Sequence, residues 1–383
     1  MKKQVLLVAA LSAAGVVTAQ AQAQAVGQMQ VRIGHVAAMT GPVAHFGKDS
    51  ENGVRMAIEA LNARGATIGG KKVKWVLVGE DDGGDPKQAT AAAQKLADAR
   101  VNAVIGHETS GTTIPASKIY HDAGIPQISA STTSPKYTQQ GFNTAFRVVA
   151  NDIQLGHALG RYAAKTMGVK RVAVIDDRTA YGQGLANEFS NGLRQQGVSV
   201  VAKEFTNDKA TDFSAILTRV RASNPDLVFF GGMNAVAGPM LRQMKQLGLN
   251  ARMMGGDGIC SDEMHKLSGG TMADGQVVCA EAGGVEAAGK AAMDKFRADY
   301  RKRYGIDVQI IAPYSYDATL LLAAAMDKAG SAEPAKYLPL LAKTQYKGVT
   351  GNIAFDARGD IRDGAITLYT FKGGHRTEIA VTK

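Results

Sequence analysis

The sequence predicts an α/β protein of two lobes, each built on a parallel sheet with helices on both faces. Three observations carry that expectation. Short apolar runs alternate with longer amphipathic ones from Gln30 onward, the pattern of βα units. The alternation starts afresh after Asn151, giving two α/β runs of similar length. The chain has 383 residues, room for two ordinary domains and too much for one simple core.

The first run opens with the strand Val31-Arg-Ile-Gly-His-Val. A helix follows over about 47–63, with Val54, Ile58 and Leu61 at helical spacing. Lys74-Trp-Val-Leu-Val is the second strand. Pro86 suits the first turn of the next helix, behind an N-cap at Asp85. Val101-Asn-Ala-Val-Ile is the third strand, with a helix over about 110–121, and 125–128 makes a fourth. In the second run, helices are expected near 155–167, 184–196, 213–222 and 236–247. Strands are expected at 171–175, 198–201 and 226–230, with a short one entered by Met253-Met254. Helices near 289–304 and 314–329 and extended segments near 352–355 and 365–371 complete the chain.

Met1-Lys2-Lys3, the apolar stretch 5–17 and the overlapping Ala-x-Ala sites of 19–25 form the pattern of a secretory signal peptide over residues 1–25. Cleavage is expected after Ala23 or Ala25, giving an exported, periplasmic protein. Removal of Lys2 and Lys3 lowers the formal charge from +10 to +8. The 44 Lys and Arg are scattered among 34 acids, so the surface reads as basic and well solvated rather than as a nucleic-acid arm. Cys260 and Cys279 are an even pair in an oxidising compartment, which favours one disulfide over two buried thiols. Closing a loop of about 20 residues is worth ~3 kcal/mol.

Enzyme signatures are missing. Gly284 to Ala291 falls one residue short of a P-loop, with Ala291 where Ser or Thr should hold magnesium. No GxSxG elbow, HExxH or calcium loop occurs, and the seven His show no ligand spacing. No metal or cofactor is expected. What stands out instead lies at three strand ends. Ile105-Gly-His-Glu-Thr-Ser110-Gly-Thr-Thr puts hydroxyls where a helix begins, a ready place for a carboxylate. Ser129-Ala-Ser131-Thr132-Thr133-Ser134 is a second hydroxyl-rich end. Gly255-Gly-Asp257-Gly258 places one acid in a glycine-lined turn. Ligands of open α/β sheets bind beyond such strand ends, and an anion site facing a lone carboxylate suits a zwitterion.

Met39-Thr-Gly-Pro-Val-Ala, Asp85-Pro-Lys-Gln, Val104-Ile-Gly-His, Pro115-Ala-Ser, Tyr181-Gly-Gln-Gly-Leu-Ala and Gly255-Gly-Asp-Gly occur in order along nearly all of the chain. In these stretches the sequence resembles the periplasmic branched-chain amino-acid-binding proteins, the leucine/isoleucine/valine-binding type that feeds ABC importers. The resemblance implies a type I periplasmic-binding-protein fold, two Rossmann-like lobes joined by three hinge crossings. Lobe 1 would take 26–149 and 280–365, and lobe 2 would take 150–279 and 366–383. Ser110 and Thr133 would hold the ligand carboxylate. The Ser131 carbonyl and Thr133 hydroxyl would receive the ammonium, with Asp257 as its counter-charge. Tyr181 would close over the ligand, and Phe46 would wall the side-chain pocket opposite Met233.

The chain departs from that pattern in three places. Asp257 stands where well-known members carry Glu, Met233 where they carry an aromatic, and the familiar disulfide positions fall at Gly84 and Thr109. The implied protein is a monomeric, non-enzymatic receptor that captures branched-chain or related apolar amino acids and passes them to membrane permease subunits. Rival expectations are a same-fold binder of amides, urea or aromatic acids, and a secreted α/β hydrolase.

Overall fold

The computed structural model of the protein describes residues 29–382. The expected signal peptide and its cleavage site lie outside them. In chain order the first layer contains β1 (Met29–Ala37), α1 (Ala44–Ala63), β2 (Thr67–Ile68), β3 (Lys71–Asp81), α2 (Pro86–Asp98) and β4 (Ala103–Gly106). It continues with α3 (Ser110–Asp122), β5 (Gln127–Ser129), α4 (Lys136–Gln139) and β6 (Ala145–Arg147). These strands form one sheet in the order β2-β3-β1-β4-β5-β6, parallel except for the β2–β3 pair. Every residue of β4 is buried, as in a strand covered on both faces. The Asp85 side chain accepts from the Lys87 and Gln88 amides and so starts α2, as its sequence position predicts.

The second layer begins with α5 (Asp152–Lys165), β7 (Arg171–Asp176), α6 (Ala180–Gln195), β8 (Ser199–Phe205), α7 (Ser214–Ala222) and β9 (Leu227–Gly231). It goes on through α8 (Asn234–Gln246), β10 (Arg252–Gly255), the short α9 (Glu263–Leu267) and β11 (Val277–Glu281). The chain then returns to the first layer with α10 (Lys290–Tyr304), α11 (Ala312–Ala329), α12 (Pro334–Leu341) and the hairpin β12 (Gln345–Gly348) and β13 (Gly351–Ala354). Finally β14 (Ile366–Lys372) and β15 (His375–Thr382) join the second sheet, ordered β15-β14-β11-β10-β9-β7-β8.

Thus the fold is the expected two-lobed α/β arrangement, with passages between layers after β6, after β11 and before β14. It differs from a purely parallel reading at one edge of each sheet. β2 runs antiparallel to β3, and β14 runs antiparallel to β11 and, through a tight hairpin that needs no crossover helix, to β15.

Two buried charges fix loops that matter below. Arg147 is fully buried and donates to the Thr132 and Ser134 carbonyls, the Thr138 hydroxyl and the Asp360 carboxylate, which ties the 129–135 loop to the third passage. Asp49, on α1, accepts from the backbone N–H groups of Gln309, Ile310, Ile311 and Ala312 and caps the turn that opens α11. A buried charge is tolerated when it is paired or hydrogen-bonded in this way.

Candidate functional site

A cleft between the lobes spans about 510 Å³, open solvent included. Phe46, Glu108, Thr109, Ser110, Ala130, Ser131 and Val149 line it from the first layer. Tyr181, Met233, Asp257, Gly258, Glu281 and Ala282 line it from the second. Ile310, Ile311 and Tyr314, around the start of α11, complete the wall. The lobes also touch directly, with the Asn234 amide nitrogen 3.1 Å from Nε2 of His45.

On the first lobe, β4 ends at Gly106, whose φ of +130° few side chains tolerate, and a Cβ there would lie 2.2 Å from the Val36 carbonyl. This close approach lets the 107–110 segment run directly into α3. Thr109 caps that helix by accepting from the Thr112 amide at 3.3 Å, and Ser110 is its first residue. The first turn of a helix leaves N–H groups without intrahelical partners and carries the positive end of its dipole. Ser110 Oγ accepts from the Ser134 amide at 3.2 Å, which leaves its own O–H to donate. The Ser131 hydroxyl donates to the Glu108 carbonyl at 2.6 Å, joining the two hydroxyl-rich strand ends.

On the second lobe, Asp257 opens a short 3-10 turn after β10. Tyr181, near the start of α6, donates its hydroxyl to Asp257 Oδ1 at 3.0 Å and accepts from the Gly258 amide at 2.9 Å. A Cβ on Gly258 would sit 2.6 Å from the Gly232 carbonyl, so a side chain there would displace the turn. Burial pushes the Asp257 carboxyl up to about 7, against the bond from Tyr181 and with the help of the nearby Glu281. Cys260 and Cys279 are bonded, with their Cα atoms 5.3 Å apart, tying the turn behind Asp257 to β11. Glu281, at the end of β11, accepts from the Tyr314 hydroxyl at 2.9 Å and lies 3.8 Å from Arg376. Burial raises its carboxyl, with Arg376 acting in the opposite direction.

Of the residues singled out from sequence, the structure brings Phe46, Ser110, Ser131, Tyr181, Met233 and Asp257 into the lining of one cleft. Thr133 lies behind that lining. Its hydroxyl is buried without a hydrogen bond of ordinary geometry, and its carbonyl accepts from the Asp152 amide at 2.8 Å. Asp152 is fully buried and its carboxylate oxygens make no such bond either. Burial drives its carboxyl up to about 8; the adjacent Thr133 hydroxyl pulls it down and Asp257 pushes it further up.

Glu108, Glu281, Ile310, Ile311 and Tyr314 were missing from the expected set. Glu108 stands inside the 105–113 stretch, where an acid at a strand end was the available signal. The other four come from segments whose local sequence announces only a strand or a helix start. Among the described residues, no group of three or more His, Cys, Asp or Glu side chains could hold a metal ion, and no helix is long and apolar enough to cross a membrane.

Two α/β layers, three passages between them and a cleft at their facing strand ends define a bilobed binding protein. The family model described as periplasmic binding protein matches residues 30–375, and the chain belongs to that family. A Pseudomonas aeruginosa protein named as an amino acid binding protein is 38% identical over 342 residues, covering 88% of this chain and 89% of its own. A leucine-, isoleucine-, valine-, threonine-, and alanine-binding protein of the same species is 33% identical over 350 residues, covering 91% and 92%. Among solved structures, the branched-chain amino acid transporter substrate binding protein of Streptococcus pneumoniae, in complex with isoleucine, superposes with a TM-score of 0.82. It is 25% identical and covers 92% of this chain and 98% of that one.

Proposed function

We propose that the protein is a periplasmic receptor that captures an α-amino acid of branched-chain size and delivers it to the permease of an ABC importer. The observation that carries this reading is that Ser110, at the start of α3 on the first lobe, and Asp257, on the second, line the same cleft. An amino acid zwitterion needs a partner for each charge once water is excluded. In this reading the ligand carboxylate meets the Ser110 hydroxyl and the first amides of α3. The Ser131 carbonyl and Asp257 receive the ammonium, and Thr133 supports both from behind. Phe46 and Met233 enclose the side chain. Tyr181 closes over the ligand while holding the Asp257 carboxylate in place.

The relatives named as amino-acid and branched-chain amino-acid binders support the reading. In the same reading the chain divides into two lobes with the cleft between them, the second passage falling after Glu281 rather than after 279 because β11 lies in the second sheet. The protein acts as a monomeric, exported receptor rather than an enzyme, and ligand favours the closed form because only that form touches it from both sides.

Thermal unfolding of refolded, ligand-stripped protein against a panel of amino acids, amides and aromatic acids tests this. A ligand at 100 times its Kd adds about 2.7 kcal/mol to the native state. Shifts with leucine, isoleucine, valine or threonine support the reading. Shifts confined to ligands without an ammonium overturn it.

A further inference from the structure

Three carboxyls line the cleft, Glu108, Asp257 and Glu281, and among its described lining residues there is no Lys, Arg or His. A single ligand ammonium accounts for one of them. Asp257 has the Tyr181 hydroxyl beside it and is the acid assigned to that ammonium above. Glu281 has the Tyr314 hydroxyl and Arg376. Glu108 is different. It is 6% exposed and neither of its carboxyl oxygens has a hydrogen-bond partner. The Ala38 amide is close enough to favour its ionised form, but it does not reach hydrogen-bonding geometry. A buried carboxyl left without a partner is costly, and that cost is recovered if a ligand supplies the missing bond.

The place of Glu108 in the cleft says which part of the ligand it meets. The acids that act on it are Asp82 and Asp49, both of the first lobe, whereas Asp257 feels Glu281. Asp49 is the residue that holds the amides of Ile310 and Ile311. Glu108 lines the cleft from the first lobe together with Phe46, on the lobe opposite Asp257. Burial keeps its carboxyl protonated well above the usual range. In that form it donates one hydrogen bond and accepts another, which matches a hydroxyl or an amide better than a methyl group.

We propose that Glu108 is a specificity-determining residue that selects amino acids whose side chains carry a hydrogen-bond donor, with a threonine-like hydroxyl as the fitting case at branched-chain size. The inference rests on the amino-acid reading above. It adds that a purely aliphatic side chain leaves Glu108 buried and unpaired, so the site discriminates against it.

Isothermal titration of ligand-stripped protein with near-isosteric pairs tests it: threonine against valine, glutamine against methionine, lysine against norleucine. The expected result is at least tenfold tighter binding of threonine than of valine. Glu108→Leu should reverse that preference, while Glu108→Gln, which keeps a donor and an acceptor, should retain it. The glutamine and lysine pairs separate an amide or cationic donor from a hydroxyl as the matching group. Valine, methionine and norleucine binding as tightly as their polar partners in the unaltered protein overturns the inference and leaves the amino-acid reading standing. So does an unchanged threonine-to-valine ratio in a folded Glu108→Leu variant. Binding of no amino acid at all overturns both, so the two failures are told apart.

Discussion

The two walls of the cleft are built on different principles. The first-lobe wall is a set of hydroxyls and a helix start, held by hydrogen bonds among themselves. Ser110 accepts from Ser134, Ser131 donates to Glu108, and Arg147 clamps the loop behind them. The second-lobe wall is a pair of acids, each held by a tyrosine hydroxyl, and the turn and strand that carry them are joined by a disulfide. In the proposed reading the first wall meets the ligand carboxylate and the second carries the counter-charge of its ammonium. Neither would then satisfy a zwitterion alone, so closure would depend on the ligand.

The strongest way to break this contrast is to remove the cation side. Asp257→Ala should weaken leucine binding by about 3–5 kcal/mol, the cost of stranding one member of a buried charge pair. Phe46→Leu, which only reshapes an apolar contact, should cost about 1 kcal/mol. Titration calorimetry giving equal losses for the two would remove the ammonium assignment. Next comes the covalent tie. Replacing both Cys260 and Cys279 with Ser should lower the unfolding free energy by ~3 kcal/mol in denaturant titration. On the anion side, Ser110→Ala should cost about 1.5–3 kcal/mol of affinity, as expected for a hydrogen bond to a charged group. An affinity unchanged from the unaltered protein would move the carboxylate elsewhere.

Protonation sharpens the comparison further. With its carboxyl pushed up to about 7, Asp257 is mostly protonated in the empty cleft at mildly acidic pH. Pairing with an ammonium requires the carboxylate, so binding releases a proton there. Affinity should fall about tenfold, ~1.4 kcal/mol, for each pH unit below 7 and level off above it. Titrations in buffers of different ionisation enthalpy read the proton directly. Stability of the unliganded protein follows the same sign. Asp152 and Asp257 hold protons in the native state that the unfolded chain sheds. Their contribution is complete below about pH 4 and is lost as pH rises through 7 to 8.

Much of this fold is legible in the sequence because its strands are covered on both faces. The short apolar runs at β4, β7 and β9 and the helical stripe of α1 announce themselves. β11 is harder to see, since Val-Val-Cys-Ala-Glu is short and ends in an acid. The edge strand β15 is half exposed and lacks a strong period. The site divides in the same way. Ser110, Ser131 and Asp257 lie at strand ends where glycine and hydroxyl residues cluster, so local pattern finds them. Ile310, Ile311 and Tyr314 reach the cleft only because Asp49 holds the turn before α11, a contact across more than 250 positions of chain. The tie between Tyr181 and Asp257 spans 76 positions of chain and turns a residue expected to cover the ligand into one that also orients the acid.

The zwitterion claim is tested most directly by titrating ligand-stripped protein with leucine, with isocaproate, which lacks the ammonium, and with isoamylamine, which lacks the carboxylate. Opposed walls for the two charges predict that leucine binds at least about a hundredfold more tightly than either analogue, in line with the cost of an unpaired buried charge. Isocaproate binding as well as leucine would contradict the account, leaving Asp257 without an ammonium to pair and the cleft a receptor for simple acids.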